Sequence, residues 1–249
     1  MAERIVTASV VIIGNEILSG RTQDTNLAHI ALQLNEWGVR VRDARVVPDV
    51  LETVVAAVNE TRTAFDYVFT TGGIGPTHDD ITVDCIAAAF DVPVVVSEQI
   101  AAIIRSRPAP DHVMESRMRM ARIPEGASLI ANPTGGPQGF RMDNVFVMAG
   151  IPAVMQAMLS TLENHLEGGS VVRSRSVTAH LGESEIADGL EDIQRRYPHI
   201  DLGSYPFYRD NVYGTTLVMR GADEEALEAV VAEVKAIVEA RGAVPRDEA

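Results

Sequence analysis

The most informative stretch of the chain reads Thr71-Gly72-Gly73-Ile74-Gly75-Pro76-Thr77-His78-Asp79-Asp80. It follows a strand-like run from Tyr67 to Thr70 and precedes a helical pattern from Thr82 to Phe90. Glycines at this density let a backbone approach an anion with its N–H groups turned inward, and the following helix adds the positive end of its dipole. The same residues also suit a tight turn that binds nothing. The stretch therefore predicts a strand–loop–helix unit with a candidate phosphate-binding loop.

Strand and helix patterns alternate on both sides of this loop. A β-branched run from Val6 to Ile13 and an alternating run from Val39 to Val47 read as strands, and a helical pattern follows each of them. Strands separated by helices of this length form βαβ units and a mostly parallel sheet. We therefore predict an α/β domain with a doubly wound sheet over residues 1–168.

A second domain is predicted after the joint Gly168-Gly169-Ser170. The patterns beyond it read strand, helix, strand, strand, helix, and such a βαββα unit of about 80 residues can bury a small sheet against two helices. We predict a small α+β domain over residues 169–249, with a frayed tail from Ala243 to Ala249.

Composition and charge narrow the classes of function. The chain has 21 basic and 35 acidic residues and a net charge of −14, and an acidic surface repels nucleic-acid phosphates. No uncharged stretch reaches the roughly 20 apolar residues of a membrane span, and no secretory signal pattern is visible at Met1. The single cysteine, Cys85, excludes an internal disulfide. We expect a cytoplasmic protein without membrane or nucleic-acid partners.

Polar residues directly after the predicted strands are the candidates for a ligand site, because doubly wound sheets bind ligands at the carboxyl ends of their strands. Asp79 and Asp80 suit N-capping or, beside a phosphate loop, a hard cation such as Mg²⁺. Asp49 has the same two interpretations, whereas Glu16 is harder to explain as a cap. Asp24 would either cap a helix or hold a ligand hydroxyl.

Four separated motifs together resemble those of the MoaB/Mog molybdopterin-binding family, and most of all the amino-terminal domain of the competence/damage-inducible CinA proteins. Thr71 to Thr82 resembles the TGG[TL]GPTxDD(L/V)T signature, and Gly14 to Gly20 resembles G[DN]E[LI]LxG. Asp24-Thr25-Asn26 and Val47-Pro48-Asp49 are similar to two shorter motifs of that family. The resemblance covers residues 5 to about 165 and implies a MoaB/Mog-like fold.

Two further motifs depart from the CinA pattern. NPxGxAPG reads Asn132 to Gly139 with the Ala-Pro pair replaced, and PGVPxEM reads Ala149 to Met155 without its first proline and its glutamate. The later segment resembles the KH-like domain of CinA at Leu181 to Ser184, and at Leu202 to Pro206 it is similar to a domain of eukaryotic FAD synthases. The CinA deamidase domain has no counterpart here, so deamidation of nicotinamide mononucleotide is not expected.

The resemblance implies two classes of function. CinA-type domains are linked to metal-dependent cleavage of the pyrophosphate in ADP-ribose or related dinucleotides, and MoaB/Mog proteins bind molybdopterin or adenylylate it with ATP and Mg²⁺. Both chemistries need a phosphate cradle and a carboxylate-held cation. The paired aspartates favour a nucleotide pyrophosphatase, with molybdopterin binding or adenylylation as the alternative. A non-enzymatic binding module built on the KH-like part is disfavoured, because that part is acidic and lacks a GxxG loop.

The strand-end positions and the resemblance together assign the expected site. The catalytic residues are Asp80, Asp49 and Glu16, and a divalent metal, Mg²⁺ or similar, is assigned to Asp79 and Asp80. Related domains self-associate, so we also expect a homo-oligomer. The residues expected to bind the phosphate or other parts of a nucleotide or pterin ligand are Thr71, Gly72, Gly73, Gly75, Thr77, Asp24, Asn26, Asn132 and Gly135.

Overall fold

The computed structural model describes residues 4–209 and 211–248, and for Arg209 only the backbone. The chain divides into two units between Gly169 and Ser170, one residue beyond the boundary predicted from the sequence. Within the described part, no helix is long and apolar enough to cross a membrane.

The first unit alternates short strands and helices. Its strands are β1 (Val6–Ile13), β2 (Val39–Val47), β3 (Tyr67–Thr71), β4 (Val94–Val96), β5 (Arg122–Pro124), β6 (Ser128–Ile130), β7 (Gly139–Met142) and β8 (Val145–Met148). Its α-helices are α1 (Asn15–Leu18), α2 (Asn26–Glu36), α3 (Leu51–Ala64), α4 (Thr82–Ala89), α5 (Glu98–Arg105), α6 (Asp111–Met118) and α7 (Pro152–Leu159).

Six of these strands form one sheet in the order β2-β1-β3-β8-β7-β6. The strands β2, β1, β3 and β8 are parallel, and β7 and β6 extend the sheet antiparallel. This confirms the predicted α/β fold with a mostly parallel sheet. The antiparallel edge was not predicted, because the short strands β6 and β7 mix apolar residues with Ser128, Gly139 and Arg141 and lack the continuous apolar run of β8. Since β1 lies between β2 and β3, the strand order reverses there, and ligands bind at such a reversal.

Helices cover both faces of this sheet. On one face α3, α4 and α5 bury Val58, Ile86 and Ile100, and on the other face α2 and α7 bury Leu34 and Met155. Successive side chains of a strand point to opposite faces, so a strand covered on both sides is apolar along its length. This explains why β1 is buried at nearly every position.

The second unit is a smaller sheet-and-helix domain. In chain order it contains β9 (Arg173–Ala179), α8 (Ala187–Arg196), β10 (Asp201–Arg209), β11 (Val212–Gly221), α9 (Glu224–Ala240) and β12 (Arg246–Glu248). Its antiparallel sheet has the order β10-β11-β9-β12. The two helices bury Ile193 and Val234 against sheet residues such as Leu217.

The end of this domain differs from the sequence prediction. The frayed tail expected from Ala243 is wrong for Arg246–Glu248, which pairs antiparallel with β9; Ala249 lies outside the described residues. The carboxylate of Glu248 accepts a hydrogen bond from Thr178 Oγ1 at 2.8 Å. The segment is entirely polar, so no apolar alternation marks it as a strand.

We expect removal of residues 244–249 to lower the free energy of unfolding of the second unit by about 1–2 kcal/mol. The three cross-strand pairs of β12 are lost, and each such pair contributes about 0.2–1 kcal/mol. Urea unfolding of the full and shortened chains measures the difference. Asp247→Asn is the control, because it weakens only the exposed ion pair with Lys235, which is worth less than about 1 kcal/mol. Superimposable curves for the full and shortened chains would contradict a stabilising β12.

Candidate ligand site at the strand ends

The loops after β1, β3 and β8 meet at one edge of the sheet. Those strands are parallel neighbours, so their carboxyl ends lie together. The loops after β3 and β8 approach closely, since a Cβ on Gly150 would lie 3.2 Å from Gly72 Cα. Together with the segment from Asn132 to Pro137, the loops surround an open cavity of about 630 Å³, which we call the main cavity.

The glycine loop takes its shape from two close contacts. Gly72 has φ +101°, and a Cβ there would lie 2.1 Å from the carbonyl oxygen of Ile13. Gly73 has φ +65°, and its Cβ would lie 2.2 Å from Thr82 Oγ1. Thr82 in turn donates hydrogen bonds from Oγ1 to the carbonyl of Gly72 at 2.9 Å and from its N–H to the carbonyl of Gly73 at 3.0 Å. The first residue of α4 therefore fixes the loop.

This loop presents unused backbone donors to the main cavity. Among the described residues, the N–H groups of Gly73, Ile74 and Gly75 have no hydrogen-bond partner, and all three residues line the cavity. Successive backbone N–H groups in a turn can form a concave surface that binds anions. The loop is thus more than a tight turn, because it keeps donors free for a ligand.

Asp80 lies beside these donors. Its Oδ2 accepts hydrogen bonds from the N–H and the hydroxyl of Thr77 at 2.8 and 2.5 Å, and Asp80 lines the main cavity. Neither aspartate caps α4, since Ile81 precedes that helix and no side chain caps it. Asp79 is 62% exposed and does not line the main cavity. Of the metal pair expected from the sequence, the structure brings Asp80 alone to the cavity.

Glu16 and Asp49 have different positions. Glu16 lies on α1 and lines the main cavity. Asp49 does not line it; its Oδ2 accepts the backbone N–H of Asn15 at 2.8 Å. Nor does Asp49 cap α3, which begins after Val50 without a side-chain cap. Asp49 therefore holds the turn that carries Glu16.

A smaller pocket of about 60 Å³ adjoins the main cavity, and Asp24, Asn26 and Thr71 line it. We call it the side pocket. Glu16 and Gly72 line both spaces, so the two are adjacent. Asp24 Oδ1 accepts the N–H of Leu27 at 2.9 Å, so this carboxylate does satisfy a donor at the start of α2 while also facing the side pocket.

The remaining candidates are divided between the cavity and its surroundings. Asn132 lines the main cavity, and its Nδ2 donates to the carbonyl of Pro137 at 2.8 Å. The carbonyl of Gly135 accepts a hydrogen bond from Arg107 at 2.8 Å, and Gly136 occupies the cavity wall in its place. Thr77 lines another adjacent pocket of about 70 Å³, which shares Gly75 and Asp80 with the main cavity and is also lined by Arg119 and Arg122.

The charges on the main cavity wall restrict what it can bind. Two carboxylates, Glu16 and Asp80, line it, and no basic side chain does among the residues described. A phosphate would therefore be repelled unless a cation accompanied it. Within residues 4–209 and 211–248 no three metal-binding side chains cluster. Mg²⁺ is commonly held by one or two carboxylates together with substrate phosphates and water, so a carboxylate of this wall could hold a metal that arrives with its ligand.

Sequence reasoning missed the loop after β8 as part of the site. Gly150, Ile151 and Pro152 line the main cavity, and their position after a strand was a usable signal. Where the CinA pattern has a proline and a glutamate, this chain has Ala149 and Val154, and both line the cavity. Met120 also lines it, and no feature of the sequence indicated that.

Cys85 is expected to react with thiol reagents only after unfolding. It is fully buried on α4, and burial, followed by the charges of Asp84 and Asp49, raises the pKa of its thiol to about 12. The reactive thiolate is therefore scarce at pH 8. Titration with Ellman's reagent at pH 8, with and without denaturant, measures this; rapid reaction of the folded protein would contradict the burial.

Gly72→Ala is expected to destabilise the first unit by about 3–5 kcal/mol, because it adds a steric clash with Ile13 to left-handed backbone strain. Gly20→Ala is the matched control. Gly20 has φ +72° but open space around a Cβ, so we expect a loss of only about 1–2 kcal/mol there. Urea unfolding of both variants compares them, and equal losses would show that the contact with Ile13 is not decisive.

The sequence matches two protein-family models and several known proteins. Residues 9–167 match the family model described as "Probable molybdopterin binding domain", and residues 155–247 match "FAD synthase, middle domain". A CinA-like protein of Gemmatimonas aurantiaca is 34% identical over 212 residues, which cover 79% of this chain and 50% of that protein. A probable FAD synthase of Caenorhabditis elegans is 27% identical over 259 residues, which cover 93% of this chain and 50% of that protein. The chain thus spans half the length of each of these two relatives.

A solved structure shows the same relationship. The crystal structure of the protein CinA from Thermoplasma acidophilum has 34% sequence identity and a TM-score of 0.59, and the match covers 64% of this chain and 96% of that one. The molybdopterin-binding family model spans more than half of the sequence, which confirms the resemblance found in its motifs. The chain belongs to the MoaB/Mog family of molybdopterin-binding domains, with CinA-like proteins among its relatives.

Proposed function

We propose that this protein is a metal-dependent nucleotide pyrophosphatase that cleaves ADP-ribose or a related dinucleotide. The observation that carries the proposal is the pairing of free backbone donors at Gly73–Gly75 with two carboxylates, Glu16 and Asp80, on the wall of one cavity. A volume of about 630 Å³ lies within the range of sites for small molecules and cofactors. Donors and carboxylates side by side suit a phosphate that binds with a cation.

The residues of the loop have separable roles in this reaction. The N–H groups of Gly73, Ile74 and Gly75 donate to non-bridging oxygens of the pyrophosphate. Asp80 uses one carboxylate oxygen to hold the turn at Thr77, which leaves Oδ1 for a divalent cation such as Mg²⁺. When bound, that cation neutralises phosphate charge and polarises the bond to be cleaved.

Glu16 is the residue that we assign to proton transfer. Its carboxylate takes the proton of a water whose oxygen bonds to phosphorus as the bridging P–O bond breaks, and ADP-ribose then yields AMP and ribose 5-phosphate. Asp49 is a positioning residue, because its hydrogen bond to Asn15 fixes the turn that carries Glu16. A carboxylate within hydrogen-bond reach of the attacking water can act as its general base.

Molybdopterin binding or adenylylation is the second candidate. Part of the cavity wall is apolar, with Met120, Ile151 and Val154 among its residues, and apolar walls suit a flat pterin ring. The family model that matches the chain is described as a probable molybdopterin binding domain, which supports this candidate. The two functions differ in their product, since only pyrophosphate cleavage releases AMP from ADP-ribose.

The test is to incubate the purified protein with ADP-ribose, FAD, NAD or ATP and a series of divalent metals, and to measure AMP. AMP release that depends on metal supports the proposal. No AMP with any metal would overturn it in favour of the pterin-binding function.

Asp80→Asn is expected to lower kcat by about a hundredfold or more, the scale for losing a charge that stabilises a transition state. Thr77→Val is the matched control, because it removes a hydroxyl that contacts Asp80 but keeps the carboxylate. We expect the control to lose less than about tenfold in kcat, with both variants melting within a few degrees of each other. If Asp80→Asn turns over normally, Asp80 serves only the turn and the metal assignment is wrong.

A further inference from the structure

We infer that Arg119 binds a second phosphate group of the ligand, in the pocket of about 70 Å³ beside the main cavity. Arg119 and Arg122 both line this pocket, and we call it the arginine pocket. The inference deepens the proposed function and rests on it for the position of the first phosphate, which binds the free donors of the glycine loop. It makes Arg119 the residue that selects a diphosphate over a monophosphate.

The two arginines of the pocket differ in their partners. Arg122 forms an ion pair with Asp84 on α4. Arg119 is exposed, and its guanidinium has no hydrogen-bond or ion-pair partner among the residues that the structure describes. It therefore offers a positive charge and a planar fork of N–H donors that no described side chain uses. Because many surface arginines are simply hydrated, the case for a ligand depends on what lies beside this one.

The backbone fixes Arg119 next to the main cavity. A short turn over Arg119–Ala121 follows α6 and leads into β5. Ala121 is fully buried, and its carbonyl accepts a hydrogen bond from the N–H of Ser97 at 2.8 Å. Met120, the residue between them, lines the main cavity. The same short segment thus contributes to the walls of both spaces.

The glycine loop borders the arginine pocket as well. Gly75 and Asp80 line both spaces, and the N–H of Gly75 is the last of the three free donors of the loop. The two phosphorus atoms of a diphosphate share one bridging oxygen, so the second phosphate must lie directly beside the first. When the first phosphate binds the loop, the arginine pocket is a space beside it that carries a free cation.

The charges of the two spaces complement each other. Glu16 and Asp80 make the described wall of the main cavity acidic, and the proposed metal ion offsets them. In the arginine pocket, Asp84 offsets Arg122, so the charge of Arg119 is left for an anion. A diphosphate bound with one cation would therefore meet the metal on one phosphate and Arg119 on the other.

The size of the arginine pocket agrees with a phosphate group. A volume of about 70 Å³ corresponds to about two water molecules of the liquid, which admits a phosphate group but not a sugar ring or a nucleobase. Arginine is suited to this ligand, because its planar fork donates two parallel hydrogen bonds to phosphate oxygens.

Arg119→Met tests the subsite, and Arg117→Met is the matched control. Each variant removes one positive charge and keeps an unbranched side chain, and the two positions lie two residues apart. Arg117 lines neither space and donates a hydrogen bond to the carbonyl of Arg107 at 3.2 Å. Neither residue belongs to the buried core, so we expect both variants to melt within a few degrees of the unmodified protein.

Binding separates the two variants. Isothermal titration calorimetry at saturating Mg²⁺ uses inorganic phosphate and methylenediphosphonate, a diphosphate analogue whose bridging carbon cannot be hydrolysed. We expect the unmodified protein to bind methylenediphosphonate about tenfold or more tightly than phosphate. Arg119→Met should weaken the binding of methylenediphosphonate by about 10- to 100-fold, the effect of losing a hydrogen bond between charged groups, and should change that of phosphate less than about threefold.

Two further variants complete the comparison. Arg117→Met should change the affinity for either anion by less than about threefold. Arg119→Lys keeps the charge but loses the planar fork, so its affinity for methylenediphosphonate should lie between those of Arg119→Met and the unmodified protein.

Failure of the subsite and failure of the proposed function give different results. Equal losses in Arg119→Met and Arg117→Met, or no loss in Arg119→Met, would overturn the subsite even if AMP were released from ADP-ribose. The subsite is also overturned if the unmodified protein binds methylenediphosphonate no more tightly than phosphate, or binds neither. A selective loss in Arg119→Met without any AMP release would overturn the pyrophosphatase and support the subsite.

Discussion

At the end of β3 the backbone of Gly72 passes so close to the carbonyl oxygen of Ile13 that a Cβ would lie 2.1 Å from it. This approach brings the ends of two neighbouring parallel strands together at the point where the strand order reverses. Because the chain must then turn through left-handed conformations at Gly72 and Gly73, the next N–H groups are not used by the sheet or by α4. Thr82 holds the turn from the helix side. The free donors of the site follow directly from this crowding.

The same strand ends determine the charge of the site. The turn after β1 brings Glu16 to the cavity, and the loop after β3 brings Asp80. Neither carboxylate has a basic partner on the described cavity wall, so the wall remains acidic beside a row of anion-binding donors. A phosphate and a cation bound together neutralise both features. This complementarity is the reason that we propose metal-dependent phosphate chemistry for the site.

The second unit depends on a different set of interactions. Its core is formed by apolar residues of α8 and α9 against one antiparallel sheet, and its edge is completed by the polar strand β12. Hydrogen bonds and ion pairs at Thr178, Glu248 and Lys235 stabilise that edge. The unit matches the FAD synthase middle domain over most of its length, and a probable FAD synthase of Caenorhabditis elegans aligns with 93% of this chain, across both units.

The sequence by itself determined the α/β architecture and the family. Apolar periodicity distinguishes strands from helices, and residues that follow parallel strands must meet at one edge. For that reason the sequence alone assigns Glu16, Gly72, Gly73, Gly75 and Asp80 to one site. Local sequence could not reveal β6, β7 and β12, because they are short or polar. Helix-start chemistry alone could not separate Asp80 from Asp79; the motif resemblance made Asp80 the catalytic candidate, and the turn at Thr77 is what brings Asp80 to the cavity.

The tertiary structure decided which polar atoms are left for a ligand. The carboxylate of Asp49 accepts a hydrogen bond from the N–H of Asn15, 34 residues away in the chain. The carbonyl of Gly135 accepts one from the side chain of Arg107, 28 residues away. The side-chain Nδ2 of Asn26 donates a hydrogen bond to the carbonyl of Gly150, 124 residues away. That contact alone determines that Oδ1 is the amide atom without a partner among the described residues. Hydrogen bonding between distant segments is a property of the folded chain, and for that reason the sequence predicted candidate residues, whereas only the structure showed which of their atoms are free.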